Sequence, residues 1–174
     1  MVQDMGNNKQ PFVAVLLGSD SDLPAMQLTL DVLRSFGIRT EVKITSAHRT
    51  PERTHAYVKD AEARGCVIFI AAAGLAAHLA GTVAGLTLKP VIGVPMDGSA
   101  LNGMDALLST VQMPGGVPVA CVAIGKAGAK NAGYLAAQIL AIQDPGLAER
   151  LHADRAATAE AIAEIDKQFN KRPG

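Results

Sequence analysis

Two short segments gather the side chains best suited to moving protons and holding anions. One reads Ser46-Ala47-His48-Arg49-Thr50-Pro51, the other Gly18-Ser19-Asp20-Ser21-Asp22. An imidazole titrates near neutral pH, so His48 can give and take a proton within one turnover. Arg49 beside it is a fixed cation whose forked donors suit a phosphate. In the other segment, Gly18 and the hydroxyls of Ser19 and Ser21 precede a helix. Free backbone N–H groups and the helix dipole can hold a phosphate there. Serine and aspartate also serve as ordinary helix caps, and taken alone this segment fits either role. Asp22 can accept hydrogen bonds from ribose hydroxyls, cap the helix, or do both.

A third segment, 72–76, is nearly bare of side chains around Gly74, so backbone can approach a planar base or a carboxylate closely. His78 follows it, suited to packing or to supporting catalysis. His55 and His152 lie among polar residues and read as solvent-facing.

The elements that must position these groups follow from hydrophobic patterning. Continuous or alternating apolar runs predict strands at 12–17, 38–44, 67–71, 91–94 and 117–124. Helical spacing predicts helices at 23–36, 51–64, 75–86, 103–111, 130–142 and 146–169. Thr50 before Pro51 reads as a capping hydroxyl at a helix start. Five strand–helix alternations imply a doubly wound α/β fold, a flavodoxin-like three-layer sandwich. The expected sheet is parallel, with strand order 2-1-3-4-5 and an extra C-terminal helix. In such a sheet ligands bind beyond the carboxyl ends of the strands. The connections entering the strands are plain (Gly37, Gly65, Lys89-Pro90), whereas those leaving them carry the chemistry above. One site on one rim is expected.

Composition narrows the functional classes. The chain has 174 residues, expected as one domain over 11–174 after a disordered segment at 1–10. Hydrophobic residues make up 49% and aromatics only 3%, so the core must be built from aliphatic side chains. Formal net charge is zero and no basic run occurs, which argues against a nucleic-acid partner. Cys66 and Cys121 sit in apolar runs and read as reduced packing residues. No apolar stretch is long enough to span a bilayer, and 1–10 lacks a signal-peptide core, so a cytoplasmic protein is expected. Neither a phosphate-loop signature nor a dinucleotide fingerprint follows the first strand, and no ligand cluster has metal spacing, so no cofactor is expected. The apolar helix at 132–142 and the stripe Leu147, Leu151, Ile162, Ile165 and Phe169 of the last helix suggest subunit contacts.

From about Phe12 to Ile142 the sequence resembles the N5-carboxyaminoimidazole ribonucleotide mutase family. The matching motifs are Gly-Ser-Asp-Ser-Asp at 18–22, Ser-Ala-His-Arg-Thr-Pro at 46–51 and Ala-Ala-His-Leu at 76–79. Val-Gln-Met-Pro at 111–114 and Ala-Ile-Gly-Lys-Ala-Gly at 123–128 complete the set. The resemblance implies a homo-octamer acting on a ribonucleotide held by Ser19, Asp22 and Arg49, with Ser21 assisting at the phosphate. It implies His48 as general acid/base, with Ser46, Gly74 and His78 in or near the site, and a loop at 100–105 that helps close the pocket. The implied reaction moves a carboxylate from an exocyclic nitrogen to ring carbon C4 in purine biosynthesis. Two positions depart from the usual pattern: Leu75 stands where many members carry Gly, and Ala80 where many carry Pro.

Overall fold

The computed structural model describes residues 11–170. The N-terminal segment expected to be disordered lies outside the described residues. Two compact units make up the chain, one ending at Ala136 and one beginning at Ala137.

The first unit runs β1 (Phe12–Leu17), α1 (Leu23–Ser35), β2 (Thr40–Ile44), α2 (Pro51–Ala63), β3 (Cys66–Ala73) and α3 (Leu79–Ala84). It continues with β4 (Val91–Pro95), α4 (Met104–Val111), β5 (Ala120–Cys121) and most of α5 (Gly125–Ala141). A 3-10 turn at Asp20–Asp22 links β1 to α1. All strands pair in parallel in the order β2-β1-β3-β4-β5. The chain steps from β1 outward to β2, then back across β1 to β3. Right-handed crossovers place the helices of those two steps on opposite faces. The carboxyl ends of β1 and β3 therefore flank the reversal point, where a ligand crevice opens.

β1 is buried along its whole length, as a strand covered on both faces must be. On one face, Phe12, Ala14 and Leu16 cluster with Phe69 and Ala71 of β3, Val58 and Ala61 of α2, and Leu79 and Val83 of α3. The Phe, Leu and Val side chains of this cluster each contribute about 1.5–3 kcal/mol on burial. Elsewhere in the unit α1 and α5 interlock. The buried Thr29 hydroxyl donates to the Ala129 carbonyl at 2.6 Å, and Phe36 meets Tyr134 edge-on at 5.8 Å. A Cβ at Gly93, in the middle of β4, would collide with the Thr110 methyl and stand 2.9 Å from Val119. Glycine there lets α4 and the approach to β5 lie against the sheet.

Several expected boundaries shift, each for a local reason. The helix expected at 75–86 is cut to Leu79–Ala84, because Leu75 has φ 56° and the chain is still turning before His78. The strand expected at 117–124 pairs only at Ala120 and Cys121. α5 starts at Gly125, five residues early, since Lys126 to Gly128 join its first turn.

The second unit holds the end of α5 and α6 (Pro145–Asn170). Asp144 accepts the Leu147 N–H at 2.9 Å, and Pro145 occupies the first helical position. Of the expected apolar stripe only Leu147 is buried, while Ile162, Ile165 and Phe169 are exposed. No described helix is long and apolar enough to cross a membrane.

Candidate functional site

The rim beyond the carboxyl ends of β1, β2, β3 and β4 encloses a cleft of about 540 Å³, a size suited to a small ligand. Its lining includes Ser19, Ser21, Asp22, Ser46, His48, Arg49, Gly74 and His78, whereas the loop at 100–105, expected to help close the pocket, contributes no residue to it. Residues 125–128 of the motif at 123–128 belong to the first turn of α5 and do not line the cleft.

The β1 connection is self-capped. Ser19 Oγ accepts the Ser21 N–H at 3.3 Å, and the Asp22 carboxylate accepts the Ser19 N–H at 3.2 Å. This reciprocal pair is a capping box on the 3-10 turn. The Ser21 hydroxyl lies 2.8 Å from Ser19 Oγ. Asp22 makes no side-chain cap to α1 itself. Its half-buried carboxyl is pushed above the ordinary carboxylate range. Burial is the main cause, the Ser19 N–H pulls the other way, and the Asp20 charge pushes further up. Gly18 sits against β3, its N–H donating to the Ala72 carbonyl at 2.9 Å, which fixes the first turn beside the third.

The β2 connection is held from below by threonine hydroxyls. Buried Thr45 lies 2.7 Å from the Thr54 hydroxyl and 3.2 Å from that of Thr50. Thr50 Oγ1 accepts the Ser46 N–H at 3.0 Å. The expected cap by Thr50 on α2 is not made, because its hydroxyl turns back to tie the loop. The loop so tied presents His48 and Arg49 outward. The Arg49 N–H donates to Ser46 Oγ at 3.2 Å, and its guanidinium reaches the Gly18 carbonyl at 3.4 Å. Arg49 thus bridges the first two connections, with no carboxylate within ion-pair distance among the described residues.

His48 Nε2 stands 2.8 Å from His78 Nδ1, with ring planes crossed at 79°. One of these two nitrogens carries the proton and the other accepts it. His78 immediately precedes α3 rather than lying within it. The apolar side of the cleft comes from Ala73, Leu75, Leu79 and Met96. Met96 and Leu79 escape sequence reasoning about chemistry because an apolar residue carries no reactive signature. Only the position of Met96 after β4 marks it.

A second cleft, about 840 Å³, opens near Leu86–Val91 and Gly116–Pro118. It contains no histidine, and its Lys59 ammonium is spent on the Leu86 carbonyl at 2.6 Å. Its larger volume does not make it the better candidate, since the paired imidazoles and Arg49 line the first cleft and not this one. His55 and His152 are exposed, as expected, and neither is among the residues that line the first cleft. Cys66 is buried and Cys121 half-buried, both as free thiols, and burial pushes the Cys66 thiol up to about 11. Among the described residues no cluster could hold a metal ion.

Fold and rim together define a flavodoxin-like α/β protein whose cleft pairs two imidazoles with an arginine and a serine-rich turn. The AIR carboxylase family model matches residues 12–161, and the chain belongs to that family. A Thermotoga maritima N5-carboxyaminoimidazole ribonucleotide mutase is 57% identical over 141 residues, covering 81% of each chain. A Bacillus subtilis protein of the same name is 51% identical over 160 residues, covering 92% of this chain and 99% of its own. The crystal structure of Treponema denticola PurE superposes with a TM-score of 0.83 at 32% identity. It covers 94% of this chain and 100% of that one.

Proposed function

We propose that this chain interconverts N5-carboxyaminoimidazole ribonucleotide and 4-carboxy-5-aminoimidazole ribonucleotide in purine biosynthesis, with His48 as general acid/base. The observation that carries it is the convergence of His48, paired with His78 at 2.8 Å, and the Ser19- and Arg49-bearing turns on one cleft. The names of the Thermotoga and Bacillus relatives support the same activity.

In this mechanism the Arg49 guanidinium and the hydroxyls of Ser19 and Ser21 hold the substrate phosphate. Each is a charge-assisted or hydroxyl donor within reach of the same anion. The capping bonds of Ser19 and Ser21 are exchanged for bonds to that anion. Asp22 accepts from the ribose, Ser46 steadies Arg49, and Gly74 lets backbone approach the base. The exocyclic N–C bond breaks, its electron pair stays on nitrogen, and His48 delivers a proton there. CO2 is released inside the cleft. Ring carbon C4 then attacks it, forming the new C–C bond, and His48 takes up the C4 proton. The imidazole ends as it began, so the cycle needs no external acid, base or cofactor. Holding CO2 beside the carbon makes recapture an intramolecular step. His78 orients the His48 ring.

The proposal includes a cytoplasmic homo-oligomer, an octamer by family resemblance. The exposed apolar faces of α4 (Met104, Leu108, Val111) and α6 (Ile162, Ile165, Phe169) support subunit contacts. Supplying each substrate separately to the purified chain tests the reaction. Conversion of the N5-carboxylated ribonucleotide without added bicarbonate is expected. Activity only with free aminoimidazole ribonucleotide and CO2 defeats the mutase assignment in favour of direct carboxylation.

A further inference from the structure

Leu75 is the most anomalous residue in the cleft. Its φ of 56° puts an L-residue with a bulky side chain in the left-handed region, which costs about 1–2 kcal/mol. That cost has no local return in the free protein. The side chain is 62% exposed, so its burial restores less than about 1 kcal/mol. The flanking positions, Gly74 and Ala76, carry almost no bulk, so Leu75 alone projects from this stretch of the rim. It lines the same cleft as His48 and His78, on the side made apolar by Ala73, Leu79 and Met96. A strained, exposed leucine at the mouth of a cleft gains its burial only when something fills the cleft.

We propose that in this chain, where leucine replaces the Gly of many family members, the Leu75 side chain adds a cover that improves retention of CO2 between the two halves of the carboxyl transfer, an inference that rests on the mutase assignment above. The intermediate is small, uncharged and a weak hydrogen-bond acceptor, so polar contacts grip it poorly and its retention depends chiefly on excluding water and closing the exit. The strained backbone sets the leucine side chain over the ligand. Contact with the bound ribonucleotide supplies the burial missing in the free protein. Leu75 touches no proton in the reaction; it acts on where the released carbon goes.

The test uses the full chain, N5-carboxyaminoimidazole ribonucleotide labelled with 13C in its carboxyl group, and excess unlabelled bicarbonate. Two products are counted: labelled 4-carboxy-ribonucleotide and free aminoimidazole ribonucleotide. The unaltered chain is expected to retain the label in most turnovers. Leu75→Ala, which keeps the backbone demand but removes the cover, should release the decarboxylated ribonucleotide roughly fivefold more often per turnover. Leu75→Met should restore retention. Leu75→Gly should leak as much as the alanine variant while melting no lower than the parent, which separates loss of the cover from loss of the fold. No conversion by the unaltered chain would sink the mutase assignment, and this inference with it. Normal conversion with equal label retention in Leu75→Ala would overturn this inference alone.

Discussion

Replacing His78 with alanine probes how the acid/base group is held. Among the described residues, His78 Nδ1 is the one hydrogen-bond partner of the His48 ring, at 2.8 Å, and both side chains are exposed. Packing alone therefore does not fix the His48 orientation. Once the bond is lost, the ring samples three wells about χ1 and about two orientations about χ2, roughly six states in all. If one of them is productive, the cost is RT ln 6, about 1 kcal/mol, or a sixfold fall in kcat. Ser19, Ser21 and Arg49, the groups proposed to bind the phosphate, lie on other connections, so KM should stay within about twofold. Steady-state kinetics of His78→Ala, His48→Asn and the double variant provide the assay. With His48 already gone, removing His78 should change the residual rate by less than about twofold, because the two act as one unit. An equal loss in both backgrounds, or a change confined to KM, would refute the idea that His78 works through His48.

Three further outcomes are expected. Asp22 has a carboxyl whose folded pKa is raised chiefly by burial, so the folded state binds its proton more tightly than the unfolded chain does. The ionised form thus costs stability at neutral pH, and that cost fades as pH falls through the carboxyl range. Asp22→Asn keeps an oxygen for the Ser19 N–H and should raise Tm by about 2–4 °C at pH 7, with a smaller gain in acid, while weakening ribonucleotide binding; equal melting at both pH values would contradict it. Gly93→Ala should destabilise by about 1–3 kcal/mol in denaturant titration, since the new methyl meets Thr110 and Val119, and an unchanged midpoint would show that β4 yields. Cys66, fully buried with its thiol pushed up to about 11, should resist alkylation until the chain unfolds, whereas half-buried Cys121 reacts first; the reverse order in peptide mapping would fault the described core.

Much of the fold was legible because it rests on signals local to the chain. The run at 12–17 is a fully buried strand, and its limits fall where the apolar residues begin and Gly18 stops them. Sheet order was legible because five strand–helix units fit the flavodoxin-like arrangement, a match that depends on the number of units rather than on side-chain detail. The failures lie where tertiary geometry overrides pattern. Residues 75–78 carry helical composition, yet Leu75 turns left-handed and delays α3 until Leu79. Residues 117–124 have strand composition, but pairing with β4 extends only across Ala120 and Cys121. Thr50 has a capping residue's chemistry and spends it on Ser46 instead. In the cleft, charged and polar residues announced themselves by type and rim position. The contact between His48 and His78, thirty positions apart, required the fold to be assembled, because no periodicity links a loop after β2 to a turn after β3.

The measurement that bears most directly on the whole account pairs calorimetry with turnover for His48→Asn. Asparagine keeps a polar side chain of similar reach but cannot carry a proton through a catalytic cycle. Ribonucleotide affinity should persist, and carboxyl transfer should fall by at least about 10²-fold, the lower bound for an acid/base group. Turnover close to that of the unaltered chain, with affinity intact, would mean that this imidazole binds or packs and that the proton travels by another route.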